Sequence, residues 1–121
     1  MKHLLAVLFV VALVVTSGVA VEPARELSKK EVQQLLEKAS TPKDHLRLAG
    51  HYEAKATKYE ADAAEHAEMA KMYRARPTAS EMKRPMSPDT AAHCQFLAES
   101  LGKAAKEARA VAAAHEDMAK K

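Results

Sequence analysis

Alanine recurs at every seventh position through two long stretches of this chain, with a second set of residues spaced between. The first stretch reads His45, Ala49, Tyr52, Ala56, Tyr59, Ala63, His66, Ala70, Tyr73. The second reads Cys94, Ala98, Leu101, Ala105, Ala108, Ala112, His115, Ala119. Steps of four and three alternate throughout both. This is the spacing of a helical seam that faces a partner helix. Alanine favours helix, and a side chain ending at Cβ lets two helices approach closely. The pattern predicts an all-α fold built on an antiparallel, alanine-rich, coiled-coil-like two-helix hairpin.

The two stretches are also an internal repeat. His66-Ala67-Glu68-Met69-Ala70-Lys71 matches His115-Glu116-Asp117-Met118-Ala119-Lys120 at an offset of 49 residues, which is seven heptads. Helix starts are marked by capping residues. Ser28 with Glu31 is a capping box, and predicts a short helix at about 29–38. Thr41-Pro42-Lys43-Asp44 opens a helix expected at about 42–74. Ser87-Pro88-Asp89-Thr90 opens another, expected at about 88–120 by the same logic. The connection, about 75–87, contains Pro77 and Pro85. In an antiparallel pair, facing residues have numbers with a constant sum. A sum of 160 or 161 makes Ala49 face Ala112, Ala56 face Ala105 and Ala63 face Ala98. It also sets His45 against His115 and His66 against Cys94.

Beside the seam runs a second apolar line of Leu48, Met69, Leu97, Ala104, Val111 and Met118. The N-terminal helix is expected to cover part of it. A second copy would cover the rest, giving a four-helix bundle as a homodimer.

Residues 1–20 read as a signal peptide. Lys2 precedes an apolar run from Leu4 to Val15, and Gly18 and Ala20 supply the small residues of a cleavage site. The run is shorter than the ~20 residues of a membrane span. The expectation is an exported protein, periplasmic or secreted, with no stable membrane anchor after cleavage. Residues 21–41 then form the short helix and linker, and 42–121 the hairpin.

Composition sharpens the function classes. Beyond residue 20 the chain has 43 apolar residues, of which 23 are alanine, so only 20 larger apolar side chains build its interior. No Gly-rich phosphate loop and no β-branched run follow residue 21, which argues against a nucleotide-binding enzyme. No paired carboxylates fall in an evident pocket, so no enzymatic activity is expected. The same segment has 18 Lys/Arg against 16 Asp/Glu, interleaved as on solvated helix faces, so no nucleic-acid partner is expected.

The chemistry-bearing residues collect at the two ends of the expected hairpin. One end gathers His66, Met69 and Cys94; the other gathers His45, His115 and Met118. Thiolate, thioether and imidazole suit copper(I), and imidazole with thiolate suits zinc. The first end is expected to bind the more tightly, with Cys94 gaining thiolate character near a helix start. Haem held by His45 and His115 is a weaker reading, because no CxxCH is present. The bland alternative is a structural or partner-binding helical module without ligand, in which the histidines fill space and Met82 and Met86 pack the connection over the helix ends. His51 and His93 fall off the seam and are expected to face solvent.

Overall fold

A computed structural model describes residues 23–121; the signal-peptide reading of residues 1–20 lies outside them. The described residues form four α-helices and no strand: α1, Lys29–Lys38; α2, Pro42–Ala75; α3, Ser80–Lys83; and α4, Ala91–Ala119. The two long helices, α2 and α4, pack against each other, and α1 packs on α2. No helix among the described residues is long and apolar enough to cross a membrane.

The starts of α1 and α2 follow from their capping boxes. Ser28 Oγ accepts from the Glu31 N–H while the Glu31 carboxylate accepts from the Ser28 N–H. Thr41 and Asp44 repeat the arrangement, with Pro42 in the first turn. These bonds satisfy backbone N–H groups that a helix start leaves without partners. They also hold the Glu31 and Asp44 carboxyl groups below their ordinary pKa.

The seam is the buried line between the long helices. Ala49, Ala56 and Ala70 of α2 and Cys94, Ala105, Ala108 and Ala112 of α4 are buried, and every other seam position is half-buried. Contacts cross the pair along its length. His45, early in α2, meets His115, late in α4. Glu53 and Glu60 both hold the Arg109 guanidinium. Arg74, near the last turn of α2, donates to Gln95 in the first turns of α4 at 3.0 Å.

Of the second apolar line, only Leu48 is fully buried; Val111 and Met118 are exposed. Leu48 joins Leu27 and Leu35 in a small cluster against which Val32, Ala39 and Tyr52 pack. Leu27 immediately precedes the Ser28 cap and Val32 lies in the first turn after it, the arrangement of a hydrophobic staple. It steers the incoming chain onto α2. At Gly50 the backbone of this segment passes close by: a Cβ there would meet the Ala24 Cα at 3.6 Å.

The connection departs from expectation in two ways. It contains α3, and α4 starts at Ala91 rather than near Pro88. Thr90, not Ser87, is the N-cap. Its hydroxyl accepts from the His93 N–H and donates to the Pro85 and Ser87 carbonyls, while Glu81 of α3 accepts from the Ala91 N–H. Residues 87–90 are thereby held as a turn, and the helix begins where that turn ends. Met82 and Met86 do not seal the helix ends; both are exposed.

Thr90 is 0% exposed and serves as both cap and anchor of this turn. Thr90→Ala is expected to cost about 1–2 kcal/mol, since the helix loses its cap and the Pro85 and Ser87 carbonyls lose a donor. Thr90→Ser is expected to recover most of that. Urea unfolding of the three proteins checks it; equal midpoints would remove the anchoring role.

Candidate metal centre

At one end of the α2–α4 pair, His45 and His115 come together. His45 Nδ1 lies 3.2 Å from His115 Nδ1, with the rings stacked at 5.5 Å between centroids and 24° between planes. Tyr52, two turns along α2, stacks on the other side of His115 at 6.2 Å and 6°. The imidazole of His115 therefore sits between a second imidazole and a phenol ring.

Two protonated imidazoles cannot share this contact. One ring must offer its Nδ1 lone pair, so at least one ring is neutral. Burial pushes the His115 pKa below the ordinary histidine value, and a positive charge on His45 would push it further. Both effects favour a neutral, ligand-competent imidazole at His115. Met118 is exposed one turn further along α4.

The other end is assembled less completely. Cys94 is buried in the first turns of α4, at 1% exposure. His66 is half-buried, and its Nδ1 is buried without a hydrogen-bond partner among the described residues. Cys94 Sγ thus makes no hydrogen bond to that nitrogen. Met69 is half-buried. The expected thiolate character of Cys94 is corrected here: burial pushes its pKa above the ordinary thiol value, and the Glu81 carboxylate adds to the shift. Proximity to a helix start favours the anion, but removal from water disfavours it more strongly. Among the described residues no three His, Cys, Asp or Glu side chains cluster tightly enough to enclose an ion by themselves.

His51 is the polar residue that periodicity misplaced. It is buried rather than solvent-facing, and its Nδ1 accepts a hydrogen bond from the Leu27 N–H at 2.9 Å. The sequence signal was local to Leu27, the apolar residue before a capping box, but nothing in the seam pattern linked it to His51.

No family model matches the chain, and no curated protein or solved structure matches it either.

Proposed function

We propose that the protein is a small exported helical hairpin, non-enzymatic, that binds a zinc or copper ion through His45 and His115. In this reading α2 and α4 run antiparallel. The order of the cross-helix contacts supports it: early α2 with late α4, the middles together, late α2 with early α4. The observation that carries the metal reading is the 3.2 Å separation of the two Nδ1 atoms. Two nitrogens, each ~2.0–2.1 Å from an ion and at a tetrahedral angle, stand about 3.3 Å apart. The helix pair therefore holds two imidazole nitrogens at the spacing of adjacent ligands.

Imidazole suits both zinc and copper, and the Met118 thioether would tilt the site toward copper(I). Remaining positions belong to water or to a second copy of the chain. The exposed Val111 and Met118 give such a copy an apolar line to cover, which completes the four-helix bundle. The His66–Met69–Cys94 end is the weaker of the two in this reading, because a buried protonated thiol must lose its proton before it ligates.

Thermal melts of the protein without a histidine tag test the proposal at pH 7.5. Zinc or copper at about 100 times its dissociation constant is expected to add about 2.7 kcal/mol of stability. For a chain of this size that raises Tm by roughly 10 °C or more. His45→Ala and His115→Ala are each expected to abolish the rise, while His66→Ala keeps it. If excess zinc and excess copper both leave the wild-type Tm unchanged, the protein is a structural or partner-binding module and the metal reading is wrong.

A further inference from the structure

His51 is a buried titratable side chain that the proposed metal site does not use. At 7% exposure, it receives the Leu27 N–H at 2.9 Å across 24 residues of sequence. The acceptor role fixes its tautomer: the lone pair is on Nδ1 and the proton on Nε2. Tyr52 meets the ring edge-on, at 5.0 Å and 71°. Leu27 belongs to the cluster with Leu35 and Leu48, so this one bond ties the segment leading into α1 to the side of α2. Among the described residues these parts are also tied by the Arg47–Glu31 ion pair, at 3.6 Å and partly exposed. Such surface pairs hold little.

We propose that His51 is a proton-operated latch: its neutral ring holds residues 23–38 on α2, and protonation at Nδ1 releases them. The added proton occupies the lone pair that Leu27 uses, so the Leu27 N–H loses its acceptor and a second N–H donor faces it. The imidazolium must also find water, which it reaches when the segment lifts. Release uncovers Leu27, Leu35 and Leu48.

The groups around the ring set the direction of the response. Lys55, one turn on in α2, opposes a second positive charge. Glu26, beside Leu27, favours it. Lys29 at the start of α1 and the Tyr52 phenol share the same groove between α1 and α2. Burial, the largest effect, and then Lys55 lower the His51 pKa below the ordinary value of 6.5, with Glu26 offsetting part. The latch is therefore closed above that ordinary value and opens as the pH falls through the folded-state pKa.

Amide exchange measured by NMR from pH 7.5 to 5.0, corrected for intrinsic exchange, tests this on the whole protein. Protection of the Leu27 amide is expected to fall at least tenfold in step with the His51 ring titration, while the Leu48 amide in α2 keeps its protection. In His51→Gln, which cannot titrate, Leu27 protection is expected to be independent of pH. If that variant does not fold, the wild-type comparison of Leu27 with Leu48 decides alone. A His51 ring that stays neutral to pH 5.0, a Leu27 amide that stays protected while His51 titrates, or equal losses at Leu27 and Leu48 would each overturn the latch.

Discussion

Leu48→Ala is expected to destabilise the protein by about 2–5 kcal/mol, the range for truncating a buried leucine. Leu48 is 0% exposed, and it alone among the large aliphatic side chains of the described residues is fully enclosed. The cluster it belongs to draws on three places: Leu27 in the N-terminal segment, Leu35, Val32 and Ala39 in or beside α1, and Tyr52 one turn on in α2. A cavity there removes apolar contact from all three at once. Domains of this size are stable by only about 5–15 kcal/mol, so this single change can consume a large share of the total. Leu36→Ala is the matched control, because Leu36 in the same helix as Leu35 is 57% exposed. Urea midpoints that shift equally for both variants would mean that the Leu27–Leu35–Leu48 cluster is not the anchor of α1.

Ala56→Leu is the second large effect, for the opposite reason. Ala56 is 0% exposed, and Ala105, which the proposed antiparallel register sets opposite it, is 2% exposed. Each lacks room for three more carbons, and the larger side chain has to push the helix axes apart. Overpacking of this kind typically costs about 1–3 kcal/mol. The cost here is expected at the upper end, because Ala56 has no exposed side into which a longer side chain could turn. Ala105→Leu in addition is expected to cost less than it does alone, since the layer has already opened. Ala61→Leu, on an exposed position of the same helix, is expected to change stability by less than about 0.5 kcal/mol. Urea unfolding of the set measures both the cost and the coupling.

Much of this architecture was readable in the chain because it is local or periodic. Ser28 with Glu31 and Thr41 with Asp44 sit three residues apart, and each pair sets a helix start where the sequence places it. The seam is readable because a heptad needs only spacing, and none of its positions is exposed. The His45–His115 contact follows from seam and turn together. What was not readable depended on tertiary burial. Ser80–Lys83 is one turn of helix without a side-chain cap, so no residue type announces it. Ser87 and Thr90 are both good capping residues; Thr90 prevails because its hydroxyl reaches back to Pro85 and Ser87. His51 lies off the seam, and it is the N-terminal segment that brings the Leu27 N–H to its ring. At Cys94 the helix start and the loss of water act in opposite directions, and spacing says nothing of which is larger.

The central claim is that the alanine seam runs antiparallel and so delivers His45 to His115. Cysteines placed in pairs on a Cys94→Ala background test it with a thiol cross-linker of about 8 Å reach. Ala49 and Ala112 are both buried seam residues, and Ala49→Cys with Ala112→Cys is expected to cross-link rapidly within one chain. Ala49→Cys with Ala98→Cys is expected not to, because in this arrangement Ala98 faces Ala63, two heptads or about 21 Å from Ala49. Efficient linkage of 49 to 98 with none of 49 to 112 would mean that the helices run parallel, and the pairing of His45 with His115 would fall with it.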